Sequence, residues 1–561
     1  MPRVAQTIAQ TLKAYGTEYF FFVTGGDQDL WIALDDAGIH LINCRSEKAA
    51  TYMADGYARI SGKPGFVYGQ YGPGVSNVVA GLADPYWAMS PVISLTSSTR
   101  TTSRDRYEYQ ELDQLLMNAP VTRWNRAVVR PERAAEMVRA AIRAATGSPP
   151  GPAHLEIPAD MLRADIDPVP IYKDAPFGHV PALRTAPPRE AVTALVDALL
   201  TAQRPVLIAG NGALLCGAWD EVQAFADMLS IPVATSMGGK GSIREDHDLA
   251  LGVMGRYSRK VANDVVREAD LALVVGCRLG GLVSDSYTVP SPEARILHID
   301  VDTNVLGTTY REEISVQADA KLALQALIEE VGRRGIRRER TAWAQQAHER
   351  VKAWTEQVQR AAKRPPEQPV HPAAVMLALR AALAPTDIVV ADTGYMGAWT
   401  GALYPVTAPG RTYIRAAGSL GWAFPAALGA ALAAPDRRAV CVSGDGGIGY
   451  HLGEIETALR CQIPLLVMVL NNSSLAFEYH EQKFNWNNRI VPQVNDFSDV
   501  DYSAVARAFR AGGRQVTDAR ELADAINDGL TADRLTLLDV RVDKEVHAPV
   551  SVYERVLARS I

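Results

Sequence analysis

Gly444-Asp445-Gly446-Gly447 closes an apolar run, AVCVS, and opens a helical one, YHLGEIETALRC. A second apolar run, PLLVMVL, ends in Asn471-Asn472, which puts Asp445 and Asn472 about 27 residues apart, the length of one strand–helix–strand unit. A right-handed crossover brings the carboxyl ends of both strands to one edge of a parallel sheet, the edge at which open α/β sheets bind ligands. A carboxylate and an amide oxygen at that edge are hard ligands suited to Mg2+. Gly446 and Gly447 let backbone N–H groups approach phosphate oxygens at a helix start. A main-chain carbonyl at Ser474 completes the protein's share of such a metal site. Alone, Gly-Asp-Gly is a tight turn. Joined to Asn-Asn at the end of the next strand, it reads as a metal–diphosphate clamp.

The elements that must hold this clamp are legible around it. Apolar runs such as YFFFVTG, PVISLTS, PVLIAGNG, LALVVGC, ILHIDV and DIVVADTG alternate with helical stretches nearly throughout. Strands apolar on both faces and separated by helices imply parallel sheets covered on both sides. Two composition breaks read as linkers: a Pro-rich stretch ending near Pro188, and a polar, basic stretch from about Gly335 to Pro372. The expected architecture is α/β with three doubly wound domains, over 1–170, 188–335 and 370–545, and a tail over 546–561.

The bulk composition excludes several classes. With 561 residues, 48% hydrophobic and 21% charged, the chain buries a sizeable core and is not of the disordered class. A net charge of −6 offers no nucleic-acid footprint, and no apolar run reaches bilayer length. The start, MPRVAQTIAQTLKAYG, reads as an amphipathic helix and not a signal peptide. Five scattered cysteines without a CxxC fit reduced thiols in a cytoplasmic protein.

The Gly-Asp-Gly…Asn-Asn pattern resembles the cofactor motif of thiamine-diphosphate enzymes. The resemblance implies that Asp445, Asn472 and the main-chain oxygen of Ser474 bind Mg2+. A second segment, CRSEKAATYMADGYARISGKPG, is similar to the one that carries the catalytic glutamate in the acetolactate-synthase branch, which falls on Glu47. Such a glutamate, hydrogen-bonded to N1′ of the aminopyrimidine, favours the imino tautomer, whose 4′ nitrogen can take the C2 proton. YEYQELDQLL resembles the segment with an active-site glutamine, here Gln110. ADTGYMGAW and AAGSLGWAF imply diphosphate and pyrimidine contacts at Thr393, Gly394, Tyr395 and Met396, a carbonyl for the 4′-amino group at Gly418, and an apolar wedge between the two rings at Leu420. The implied domain order is pyrimidine-binding, central Rossmann-like, then diphosphate-binding. The implied active unit is a homodimer or homotetramer with each site between two chains.

The central segments resemble a domain that binds ADP or FAD in some relatives, with Asp300 or Asp302 placed for a ribose. Arg278 matches an arginine of flavin-binding relatives, but Gly280-Gly281-Leu282 stands where those carry Asp-Asp-Arg, which argues against flavin. Ser46 replaces the histidine that precedes the glutamate in acetolactate synthases, and Glu481 replaces a tryptophan. The run EYHEQKFNWNNR resembles sulfoacetaldehyde acetyltransferases. Glu478, His480 and Glu481 follow the clamp as candidate acid/base groups over the reacting carbon. The implied activity is carbon–carbon cleavage or carboligation on a 2-oxo acid. The alternatives are a 2-hydroxyacyl-CoA lyase that releases a carbonyl compound and formyl-CoA, and an idle cofactor-binding subunit, against which the presence of Glu47 argues. The tail is expected either to close over an acyl-CoA or the active site, or to pack as a terminal helix.

Overall fold

The computed structural model describes residues 1–363 and 369–553. Three six-stranded sheets follow one another along the chain, and every strand pair in them is parallel. The first contains β1 (Tyr19–Phe22), β2 (His40–Asn43), β3 (Gly65–Gly69), β4 (Val92–Ser98), β5 (Trp124–Ala127) and β6 (Ala153–Pro158). The second contains β7 (Pro205–Ala209), β8 (Val233–Thr235), β9 (Ala250–Val253), β10 (Leu271–Val275), β11 (Arg295–Asp300) and β12 (Ile314–Gln317). The third contains β13 (Ile388–Ala391), β14 (Tyr413–Arg415), β15 (Ala439–Gly444), β16 (Leu466–Asn471), β17 (Gly512–Val516) and β18 (Thr536–Arg541). Central strands such as β3, β7, β10 and β16 are buried at every residue, as their unbroken apolar composition requires when helices cover both faces.

The order of the strands decides where ligands can enter. The first sheet runs β2-β1-β3-β4-β6-β5 and the third β14-β13-β15-β16-β18-β17, the same order in relative terms. The second runs β12-β11-β10-β7-β8-β9. The order reverses between β1 and β3, between β7 and β10, and between β13 and β15. At each reversal, crossovers leave to opposite faces and open a crevice at the carboxyl ends of the strands.

The first and third sheets share a core. The helices Glu47–Ser61 and Ala423–Ala433 touch backbone to backbone: a Cβ on Gly56 would stand 2.0 Å from the Ala426 carbonyl oxygen, and one on Gly429 would stand 1.9 Å from that of Met53. The central sheet is joined to the third by charge. Buried Lys240 pairs with Glu245 and donates to the Gly401 carbonyl at 3.2 Å, while Arg259 donates to Ala402 at 2.8 Å. Both carbonyls belong to the last turn of the helix Tyr395–Leu403, where intrahelical donors run out.

One expected linker is a helix. Residues 342–362 form a 21-residue helix capped by the Thr341 side chain, with Trp343, Ala344 and Ala347 buried against the central domain. Its second half packs Trp354, Val358 and Ala362 against the core of the third sheet, and the polar residues between these contacts give the stretch its composition. Residues 167–188 carry no helix or strand. At the C-terminus, Tyr553 is fully buried among Tyr395, Phe477 and His480. The rest of the expected tail, 554–561, lies outside the described residues. No helix among the described residues is long and apolar enough to cross a membrane.

His154 on β6 ties the first sheet to a pH dependence. It is fully buried between Thr96 (2.8 Å from Nε2) and Asn125 (2.6 Å from Nδ1), and burial pushes its pKa down to about 3. As pH falls through 6.5 the unfolded chain takes the proton first, so stability present above 6.5 is lost toward pH 3, at about 1.4 kcal/mol per pH unit. His154→Gln should therefore flatten the stability–pH profile by one proton between pH 6.5 and 5, a difference of about 2 kcal/mol in urea unfolding.

Candidate active site

The crevice between β13 and β15 holds a cavity of about 240 Å³. Thr393, Gly394, Tyr395 and Met396 line it from the end of β13, and Asp445, Gly446 and Gly447 from the end of β15. Asn472 and Ser474 line it beyond β16, and Leu420 from the turn before the helix Ala423–Ala433. The helix Tyr395–Leu403 starts here without a side-chain cap, which leaves its first N–H groups available to an anion.

Asp445 and Asn472 converge on one donor. The Ser474 N–H lies 3.0 Å from Asp445 Oδ2 and 3.1 Å from Asn472 Oδ1. Asp445 is 4% exposed, forms no ion pair with a described residue, and is pushed up to about 7 by burial. A buried carboxylate without a positive partner is costly, and a cation in the cavity would relieve it. Among the described residues no group of three or more His, Cys, Asp or Glu side chains is arranged to hold a metal. One carboxylate, one amide oxygen and the Ser474 carbonyl make a sparse all-oxygen set, which fits Mg2+ that takes its other ligands from phosphate and water. The two asparagines of the motif differ: Asn471 turns into the sheet and donates to Asp539 at 2.9 Å and to the Val500 carbonyl at 3.0 Å.

Asp392, which the motifs did not single out, gathers the crevice. Fully buried, it accepts from the Thr393 N–H (2.9 Å), the Gly421 N–H (3.1 Å) and Ser443 Oγ (2.9 Å), and burial raises it to about 6. A Cβ on Gly447 would stand 2.5 Å from its Oδ2. The aspartate of ADTG, at a strand end, was the available signal.

A second cluster of functional types lies at the β1/β3 reversal. Glu47, half-buried at the start of its helix, accepts from Asn77 Nδ2 at 3.0 Å. Gln70 lies against Gly25 and Gly74 and within 3.5 Å of Gln110 Oε1. Buried Gln114 holds the Gly72 N–H at 3.0 Å. Gln70, Asn77 and Gln114 were missed, although GQYGPGVSN shows the first two on either side of the Gly-Pro-Gly turn. Glu111 accepts from the Asp105 N–H at 2.9 Å and so braces its own loop.

The two clusters do not meet within one chain: neither Glu47 nor Gln110 lines the cavity. Buried Glu454 accepts from the Arg45 N–H at 3.0 Å, which ties the backbone before Glu47 to the third domain without turning its carboxyl into the crevice. Glu478 does line the cavity. Glu481, one turn on, stands outside it, near Tyr257 and Tyr553. His480 faces the other way, since a helix puts i and i+3 on one side. It is fully buried, 2.5 Å from the Tyr395 hydroxyl, and is not an overhanging acid/base group. Gly418 lines a different, larger cavity on the other side of its turn.

Three family models match in the order of the sheets: the N-terminal TPP binding domain of thiamine pyrophosphate enzymes over residues 2–117, the central domain over 192–327, and the C-terminal TPP binding domain over 392–540. The chain belongs to the thiamine pyrophosphate enzymes. Its similarity to curated members of the family runs the whole length. A probable acetolactate synthase large subunit of Methanocaldococcus jannaschii is 30% identical over 97% of this chain and 93% of the relative. The acetolactate synthase isozyme 3 large subunit of Escherichia coli K12 is 27% identical over 97% and 95%. A sulfoacetaldehyde acetyltransferase of Castellaniella defragrans is 30% identical over 97% and 94%. The protein is therefore a thiamine-diphosphate-dependent, acetolactate-synthase-like enzyme acting on carbon–carbon bonds, and not an idle subunit. The cavity fits the cofactor's diphosphate end: uncapped N–H groups at one side, an unpaired buried carboxylate at the other, and glycines where a side chain would intrude.

Proposed function

We propose that this enzyme cleaves or joins the carbon–carbon bond next to the carbonyl of a 2-oxo acid, with Mg2+ anchoring thiamine diphosphate. The observation that carries the cofactor geometry is buried, unpaired Asp445 sharing the Ser474 N–H with Asn472. Similarity to the acetolactate synthases supports the 2-oxo acid. Bound thiamine diphosphate supplies a nucleophilic carbon and an electron sink. Asp445, Asn472 and the Ser474 carbonyl hold the metal. N–H groups at Gly394, Tyr395, Met396, Gly446 and Gly447, with Thr393, face the diphosphate. The Gly418 carbonyl would accept from the 4′-amino group, and Leu420, at the cavity wall, would pack against the rings. Glu47 would hold a proton at N1′, and Gln110, within 3.5 Å of the Gln70 amide, would serve the same side of the site.

The separation of Glu47 from the cavity within one chain supports a homodimer or homotetramer, in which Glu47 of one subunit serves the clamp of another. The working division is a pyrimidine-binding domain over 1–170, a central domain over 188–335, a diphosphate and Mg2+ domain over 370–545 and a tail over 546–561. Five free cysteines, four of them buried, support a cytoplasmic setting. The β7/β10 reversal opens into a cavity of about 770 Å³ lined by Asn211, Gly276, Arg278, Asp300 and Asp302. It is proposed for an adenine nucleotide, and the Gly280-Gly281-Leu282 run favours ADP over FAD.

Calorimetry of the chain with thiamine diphosphate and Mg2+, followed by product analysis on pyruvate, tests the proposal. Tight Mg2+-dependent binding with CO2 release supports it. Binding with turnover only of a 2-hydroxyacyl-CoA to formyl-CoA replaces the 2-oxo acid. No binding by the folded chain overturns it. Glu478 is the proposed acid/base group on the substrate-derived hydroxyl, with Glu481 as its helical neighbour. Glu478→Gln should lower kcat by about 100-fold or more with cofactor affinity kept. Glu481→Gln should cost less than about tenfold. Equal turnover by Glu478→Gln and wild type removes Glu478 from the mechanism.

A further inference from the structure

The turn that presents Leu420 to the cofactor cavity is held by side chains of the first domain. Asp84, in the helix Pro73–Ala88, is 2% exposed. It accepts from three successive backbone N–H groups: Ala417 at 2.8 Å on Oδ1, Gly418 at 3.2 Å and Ser419 at 3.0 Å on Oδ2. Arg59 meets its charge at 2.8 Å, grips both oxygens of Asp55 at 3.0 and 2.7 Å, and donates to the Arg415 carbonyl at 2.6 Å. The Trp422 indole donates to Asp55 at 2.9 Å and lies 4.5 Å from the Arg59 guanidinium. Consecutive N–H groups converging on one anion form a nest, here filled by the protein's own carboxylate.

A trans peptide points its carbonyl opposite to its N–H. Aiming the Ser419 N–H at Asp84 therefore turns the Gly418 carbonyl away from Asp84, and the next residue is Leu420, which lines the cavity while Asp84 does not. We infer that Asp84 is a positioning residue for the reaction, acting through the 417–419 backbone on the Gly418 carbonyl and the Leu420 side chain. The inference rests on the reading of Gly418 and Leu420 as the pyrimidine-side contacts. Only an ionised carboxylate supplies acceptors for three N–H groups and a guanidinium together. An asparagine sets its own NH2 against those donors.

The test compares Asp84→Asn with wild type in three readouts: C2 proton exchange per bound thiamine diphosphate, cofactor affinity by calorimetry, and the thermal midpoint of the chain without cofactor. Exchange should slow by about 10- to 100-fold, since misplacement of a contact by about an ångström is felt at that scale. Affinity should stay within about fivefold, because the clamp is untouched. Leu420→Ala should reproduce the slow exchange, and the double variant should be no slower than the slower single one. If Asp84→Asn does not fold, Asp84→Glu keeps the charge for Arg59, shifts the acceptors by a methylene, and carries the same expectation. Wild-type exchange per bound cofactor in a folded Asp84 variant overturns the inference, whatever its thermal midpoint. If Leu420→Ala exchanges at the wild-type rate, or wild type binds no cofactor, the underlying reading falls and the inference falls with it.

Discussion

Glu47→Gln is expected to lower kcat by about 10³-fold while leaving thiamine diphosphate affinity within about fivefold of wild type. Glutamine keeps the size and one acceptor oxygen but cannot hold a proton at N1′, so C2 exchange should slow in step with turnover. Among the described residues the half-buried Glu47 carboxyl has one side-chain hydrogen-bond partner, Asn77, which glutamine can still meet. The thermal midpoint should therefore change little. The same variant tests where the site is assembled. Within one chain Glu47 lies outside the cavity, so a Glu47→Gln subunit still offers a sound clamp to its partner. Mixing it with an equally inactive Asp445→Ala subunit should restore about a quarter of wild-type activity, since half of randomly formed dimers are hybrids and each hybrid has one intact site. No recovery from mixed, demonstrably hybrid dimers would place Glu47 and the clamp in the same chain or remove Glu47 from the chemistry.

Asp445→Ala is expected to weaken Mg2+-dependent cofactor binding by at least about 100-fold, because it removes the only charged ligand of the proposed metal set. The chain without cofactor should be no less stable than wild type, and this is the more discriminating half of the prediction. Among the described residues Asp445 is a buried carboxylate whose partners are backbone N–H groups, and burial pushes its pKa far above the ordinary carboxylate value. A group held for its ligand is a liability to the empty fold. Calorimetry gives the first quantity and thermal unfolding without Mg2+ the second. A variant that loses stability along with binding would show that Asp445 is a structural group of the β15 turn.

Much of the site is legible in the chain because its residues are local in sequence and chemically unusual. Gly-Asp-Gly after an apolar strand and Asn-Asn at the end of the next can hardly be explained by packing, and the strand–helix–strand rule brings them to one edge without further information. The same rule, with strands apolar on both faces, implies parallel sheets in three layers of chain. Other features carry no local mark. Asn471 and Asn472 are adjacent and chemically identical, yet one donates into the sheet and the other faces the cavity, because β16 ends between them. Glu478, His480 and Glu481 look like one polar run, but the helix turns His480 into an aromatic core and leaves Glu478 at the cavity wall. The stretch after Gly335 has a linker's composition and holds a helix, since a few spaced apolar residues suffice to pack it: Trp343, Ala344 and Ala347 on the central domain, and Trp354, Val358 and Ala362 on the third.

By itself, then, the sequence determined the strand–helix alternation, the proposed clamp and the candidate carboxylate at Glu47, because each rests on residue type and short spacing. Only the tertiary structure decided the three strand orders, the placement of Glu47 outside the cavity that Asp445 lines, and the grip of Asp84 on a turn more than three hundred residues away. Those depend on which surfaces bury each other, and burial between distant segments leaves no periodic trace in the chain.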